Sequence, residues 1–182
     1  MALGSSLTTR NDWPEALAEG LTTCLARPVE ITRVARAGAG SVWGETAMAE
    51  VVAEAPDLVL IEFAINDADL RDGIGLRDSI ARHDRILEGL AAGLPDARLL
   101  LMTMSHAHGL RGLMRPRLRS YYDSYRGLAA QHDTGLADLY PRWRVSGLRF
   151  ADGLHPDDAA VRAVALPVLL GMIGAAADRA CG

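Results

Sequence analysis

The chain has 182 residues and a formal net charge of −4, and all 19 of its positive side chains are arginine. The length suits one domain with a substantial core, and the acidic balance argues against nucleic acid as the main partner, because phosphate binding shows as a basic excess. No stretch is apolar for long enough to span a bilayer, and two cysteines, Cys24 and Cys181, are too few for a disulfide framework.

The chain opens on Met1-Ala2-Leu3, which reads as an abbreviated first strand ahead of Gly4-Ser5-Ser6-Leu7-Thr8. As given it has no charged n-region followed by an apolar stretch, so the expected location is cytoplasmic, with export left open by the short first strand. Residues 14–26 predict a helix, with Pro14 suiting its first turn and Leu17, Leu21 and Leu25 on one face. Within it Cys24 reads as a small buried hydrophobe, whereas Cys181 lies at a terminus expected to fray. Val29 to Ala35 alternates and is β-branched, the signature of a strand, and a helix is expected over about 43–54. Asp57 to Phe63 is a near-continuous apolar run, as a strand covered on both faces requires. Residues 76–93 predict a helix with Ile80, Ile86 and Leu87 facing inward, and Arg98 to Met104 a second buried strand. A basic, glycine-containing stretch follows, then a helix around 116–131 and a short final strand from Thr134 to Leu139. From Asp157 to about Ala177 one helix closes the chain, with Asp157 and Asp158 suiting its first turn.

Strands that alternate with helices imply βαβ units, a single α/β domain over 1–182, and a mostly parallel sheet with right-handed crossovers. Ligands of such open sheets bind outside the carboxyl ends of the strands. The chemistry-bearing residues gather at that end.

Asp152-Gly153-Leu154-His155-Pro156 puts an acid and an imidazole at one turn, where the carboxylate can hold the ring in one tautomer. Asp and Pro are also ordinary at the start of a helix, but His155 alone among the histidines has an acid at short, loop-compatible spacing. His83 and His132 fall on helical faces with charged neighbours and read as solvated. Ser6, at a strand-to-helix turn, is the candidate nucleophile, and its own amide a candidate oxyanion donor; the plain alternative is helix capping. Asn66, after the apolar run, could donate its side-chain amide to the same oxyanion, and Gly38 a bare N–H, although both are also common turn residues. His106-Ala107-His108 is a weak metal-ligand pair with no second histidine cluster, and loop histidines lining the cleft are the preferred reading. Arg111, Arg115, Arg117, Arg119 and Arg126 read mainly as a solvated helix face, with one or two available to an anionic or sugar-acid substrate. Trp43 and Trp143 fall near loops at the active end, suited equally to stacking on a ring and to packing. There is no dinucleotide fingerprint, phosphate loop or GxSxG elbow.

In this order the pieces resemble the SGNH hydrolases, also called the GDSL esterase/lipase family. Gly4 to Thr8 is similar to the GDSLT block, Ala64-Ile65-Asn66-Asp67 to the GxND block, and Asp152 to Pro156 to the DGxHP block. The resemblance implies a three-layer α/β/α sandwich around a mostly parallel, flavodoxin-like five-stranded sheet. It also implies hydrolysis of esters, thioesters or O-acetyl groups without metal or other cofactor. Ser6, Asp152 and His155 would be catalytic, and Ser6, Gly38 and Asn66 would form the oxyanion hole. Three positions depart from the family pattern: Ser5 stands for Asp, Ala64 for Gly, and Arg36-Ala37 where an Asn often precedes the oxyanion glycine. The reading is a serine esterase acting on small carboxylic esters or acylated carbohydrates. A non-catalytic binding or scaffold protein on the same fold, and a metal-dependent hydrolase using His106 and His108, stand as alternatives. Oligomeric state is not legible.

Overall fold

The computed structural model describes residues 1–181; Gly182, included in the predicted domain, lies outside the described residues. Five strands, β1 (Ala2–Gly4), β2 (Arg33–Ala35), β3 (Leu58–Glu62), β4 (Arg98–Thr103) and β5 (Gly135–Asp138), form one sheet in the order β2-β1-β3-β4-β5. Every pairing is parallel. The helices are α1 (Ser6–Thr9), α2 (Trp13–Leu25), α3 (Ser41–Ala53), α4 (Ala64–Asp67), α5 (Leu76–Gly93), α6 (Gly109–Leu113), α7 (Leu118–Gln131), α8 (Tyr140–Ser146), α9 (Asp158–Val164) and α10 (Leu166–Ala175). Helices α3, α5 and α7 pack as one layer, and α2, α9 and α10 as another. This is the predicted α/β class. Its chain order reverses at β1 and β3, which opens a crevice beyond their carboxyl ends.

The apolar runs behave as expected. Val59, Leu60 and Ile61 of β3 and Leu101 of β4 are buried, because helices cover both faces of the sheet. The strand predicted from Val29 is only Arg33–Ala35: the Val29 amide donates to Thr22 Oγ1 (3.0 Å) and so belongs to α2 instead of the sheet. Helix α5 has the predicted bounds, but Ile80 is exposed. The inward stripe runs through Ser79, His83, Ile86, Leu87 and Leu90, so two polar residues occupy it. The closing helix is two helices with a 41° bend, where Pro167 in the first turn of α10 removes an amide donor and crowds the preceding turn. Among the described residues no single helix is long and apolar enough to cross a membrane.

The two cysteines correct the sequence reading. Cys24 and Cys181 form a disulfide, Cα–Cα 5.6 Å, that ties the C-terminal segment to α2. Gly174 makes room for it, since a Cβ there would lie 2.4 Å from Cys181 Sγ.

Candidate active site

Ser6 is the first residue of α1, directly beyond β1. Its amide is one of the orphan donors of a helix start. Ser5 caps the turn, its Oγ accepting from the Leu7 amide (3.3 Å). Beneath it lies Glu62, the last residue of β3 and the register partner of Gly4. The Glu62 carboxylate accepts from the Ser5 amide (2.6 Å), Ser5 Oγ (2.9 Å) and Thr8 Oγ1 (2.8 Å). Only glycine fits at position 4, because a Cβ would stand 2.4 Å from Glu62 Oε1 and from Thr8 Oγ1. Burial pushes the Glu62 carboxyl up to about 7 against the opposing pull of its three hydrogen bonds. The sequence reading missed Glu62; the available signal was one acid at the end of an otherwise apolar run.

His155 reaches Ser6 from the far end of the chain. Ser6 Oγ lies 2.8 Å from His155 Nε2, and Asp152 Oδ2 lies 2.5 Å from Nδ1. Asp152 Oδ1 accepts the amides of Leu154 (3.0 Å) and His155 (2.8 Å). Partial burial opposes its ionisation, but the hydrogen bonds from the His155 ring and from these amides hold Asp152 well below the usual carboxylate range. An ionised Asp152 can only accept, so Nδ1 carries the ring proton and Nε2 is the acceptor facing Ser6. Arg10 Nη1 lies 3.5 Å from the same Nδ1; two N–H groups cannot bond, so Arg10 flanks the pair.

The loop carrying Asp152 and His155 is pinned by the segment after β4. The His108 amide donates to Gly153 O (2.9 Å) and Ser105 Oγ to Leu154 O (3.3 Å). His108 Nε2 accepts from the Phe150 amide (2.8 Å), which makes this ring a strut of the loop. His106 packs on Phe150, ring centroids 5.1 Å apart. Among the described residues no third His, Cys, Asp or Glu groups with this pair. Gly153 has φ +79, and a Cβ there would meet His108 O at 2.5 Å, so the turn requires glycine. Trp143 is buried against Phe150, and Trp43 packs edge-on to Phe63. Both are packing residues.

Ser6, Gly38, Asn66 and His155 line one cavity of about 210 Å³. Gly38 turns with φ +77, and among the described residues its amide makes no backbone hydrogen bond. Asn66 Nδ2 donates to Ala39 O (2.9 Å), while Oδ1 faces Arg115 Nη2 (3.4 Å). These partners fix which end of the amide is nitrogen and leave its second N–H for the cavity. Asp67 binds the turn from the other side, accepting the Ser41 amide (2.8 Å) and Ser79 Oγ (2.6 Å).

Two sequence expectations are overturned here. Arg115 is buried, not part of a solvated face: Nε donates to Ile65 O (2.8 Å) and Nη2 pairs with buried Asp69 (2.8 Å). His83 is buried, not solvated. Its Nδ1 donates to Ser79 O (2.8 Å), and its Nε2 accepts from Tyr125 Oη (2.9 Å), which in turn receives the amides of Phe63 (3.2 Å) and Ala64 (3.1 Å). Burial lowers its pKa, so the ring stays neutral and this network is satisfied. His132 is half-buried beside Asp84 (2.7 Å).

Residues 2–163 match the GDSL-like Lipase/Acylhydrolase family. The chain belongs to that family. As a GDSL-like acylhydrolase it is a carboxylic ester hydrolase. Among curated proteins none matches it. The GDSL-like fold superimposes on a catalytic mutant of the acetylxylan esterase Axe2 from Geobacillus stearothermophilus, with TM-score 0.79, 18% identity, and 95% of this chain and 92% of that one covered. It also superimposes on a lipase/acylhydrolase from Enterococcus faecalis (TM-score 0.79, 22% identity, 92% of each chain). TesA gives TM-score 0.72 at 22% identity over 93% of this chain and 96% of that one.

Proposed function

We propose that this hydrolase cleaves small carboxylic esters, O-acetyl groups on carbohydrates among them, through an acyl-enzyme on Ser6. The observation that carries the reading is the unbroken relay from Ser6 Oγ to His155 Nε2 (2.8 Å) and from Nδ1 to Asp152 (2.5 Å). His155 takes the Ser6 proton as Oγ attacks the ester carbonyl, and Asp152 stabilises the imidazolium that forms. The amides of Ser6 and Gly38 and the free N–H of Asn66 receive the oxyanion. Collapse of the tetrahedral intermediate breaks the C–O bond, and the alcohol leaves with the proton held by His155. Water, deprotonated by the same ring, then releases the acid and returns the proton to Ser6. The acetylxylan esterase activity named for the Axe2 structure supports acylated carbohydrate as a substrate class. The Cys24–Cys181 disulfide favours an oxidising compartment over the cytoplasm.

The test is hydrolysis of p-nitrophenyl acetate and labelling by a fluorophosphonate probe, for wild type, Ser6→Ala and His155→Ala. Wild type should turn over and label, Ser6→Ala should do neither, and His155→Ala should lose several orders of magnitude in kcat. Equal turnover by wild type and Ser6→Ala would overturn the assignment.

A further inference from the structure

Arg115 lines the cavity at Ser6 and also a second cavity of about 400 Å³. That volume is within the range of small-molecule sites. Its wall combines Tyr140, Pro116 and Leu118 with Arg119, Arg144 and Arg149, and it contains no carboxylate. This is four arginines around one hollow in a chain of net charge −4. Arg115 is matched by Asp69, and Arg119 has Asp123 at 3.4 Å. Among the described residues Arg144 and Arg149 have no carboxylate partner. His106 also lines the hollow, and its Nδ1 is buried without a hydrogen-bond partner. Burial is the main cause that lowers its pKa; the charges of His108, Arg144 and Arg149 lower it further, against a hydrogen bond with the Leu148 backbone.

We propose that this second cavity is a subsite for an anionic group, carboxylate or phosphate, carried by the substrate away from the scissile ester. The inference rests on the esterase reading above. Arginine forks match both anions in bidentate geometry, and the shared Arg115 makes the two hollows neighbours.

The test uses the full chain and three substrates with one O-acetyl group at the same ring position: a methyl glucoside, the corresponding methyl glucuronoside, and the methyl glucoside 6-phosphate. Wild type should show at least one anionic substrate with KM about tenfold below the neutral one, the effect of one charge-assisted contact, and 0.5 M NaCl should narrow the gap. The arm that gains identifies carboxylate or phosphate. Arg144→Ala/Arg149→Ala should abolish the preference and leave p-nitrophenyl acetate hydrolysis unchanged. Equal KM values in wild type, or a preference that survives in the double variant, would overturn the subsite. Neither outcome touches the esterase reading, which stands or falls on Ser6→Ala.

A second inference comes from the base of the nucleophile turn. The family's first block carries Asp where this chain has Ser5, and Glu62 places a buried carboxylate against that residue from β3. We infer that Glu62 is a positioning residue that holds the Ser6 turn against the sheet. Glu62→Ala should lower kcat on p-nitrophenyl acetate about tenfold with KM little changed, whereas Glu62→Gln, which keeps an acceptor for the Ser5 amide, should retain most of the rate. Should Glu62→Ala fail to fold, Glu62→Met, of similar length but with no such acceptor, provides the same kcat-against-KM reading. An unchanged kcat in the folded Ala or Met variant, or a Gln variant as slow as either, would overturn the inference.

Discussion

Glu62 should make stability depend on pH in a way that one substitution removes. In the unfolded chain this carboxyl ionises near 4.5, whereas in the folded protein burial pushes it up to about 7. Between those values the folded state holds a proton that the unfolded state has released. Stability from this group is therefore fully present below about pH 4.5 and is lost as pH rises through about 7. At about 1.4 kcal/mol per pKa unit, the difference amounts to about 3.5 kcal/mol in all, a large part of the roughly 5–15 kcal/mol typical of a domain. Tyr122 and Tyr125, the other titratable groups facing Glu62, are pushed up by burial and stay neutral throughout. Buried His83 acts with the opposite sign, since its lowered pKa removes stability as pH falls below the unfolded value. Its contribution is common to wild type and Glu62→Gln and cancels in their difference. The assay is urea unfolding, followed by tryptophan fluorescence at pH 5 and pH 8 with the disulfide intact. Wild type should lose about 2.5 kcal/mol more than Glu62→Gln between these two conditions, since a little of the effect is already lost at pH 5. Parallel pH dependence in the two proteins would refute the reasoning.

Asn66→Ala should lower kcat on p-nitrophenyl acetate by about 10²–10³, the value of one oxyanion donor, while Ser6 remains reactive toward the fluorophosphonate; a loss below tenfold would remove Asn66 from the oxyanion hole. Arg115→Met leaves buried Asp69 with Arg71 alone, and chemical denaturation should register about 3 kcal/mol of lost stability. An unchanged unfolding midpoint would show that Arg71 suffices. Reduction of Cys24–Cys181, which closes a loop of sequence separation 157, should cost about 2–4 kcal/mol in the same measurement. Identical curves with and without reductant would show that the cross-link carries no stability.

The parts of the molecule visible in the sequence are those whose meaning is local. The apolar runs around Leu60 and Leu101 need only their own composition to read as strands covered on both faces, and helix 76–93 needs only its period. Helices α1, α4, α6 and α8 are four to seven residues long, too short to show a period at all. The candidate catalytic residues were legible because each sits in a short block of its own. Their supports were not. Ser5 and Glu62 are 57 residues apart, and Glu62 gains its role only through strand register. His83 looked solvated because its partner Tyr125 lies on another helix, and Arg115 because Asp69 lies across the cleft. Cys24 and Cys181 are joined only by the return of α10 onto α2.

Among the described residues the only buried carboxylates are Glu62, Asp67 and Asp69, and the only buried arginine is Arg115. Burying an ion costs several kcal/mol unless hydrogen bonds or a counter-charge offset it, so a core selected for stability alone would avoid them. All three acids lie on β3 and its immediate continuation, and each holds a different wall of the cavity. Glu62 holds the Ser6 turn through Ser5 and Thr8. Asp67 holds the start of α3, next to Gly38, through the Ser41 amide, and a Cβ at Gly40 would come within 2.4 Å of it. Asp69 holds Arg115, which faces Asn66 Oδ1 and fixes the direction of that amide. The stretch from Glu62 to Asp69, the end of the central strand and its continuation, thus fixes the Ser6 turn, Gly38 and Asn66 relative to each other, the rigidity that the proposed preorganised site requires. His155 and Asp152 alone are held by other parts of the chain, through His108, Ser105 and Asn11. Disturbing β3 should therefore displace Ser6 and the proposed oxyanion donors together, whereas disturbing the 105–108 segment should act through His155 and leave the oxyanion donors in place.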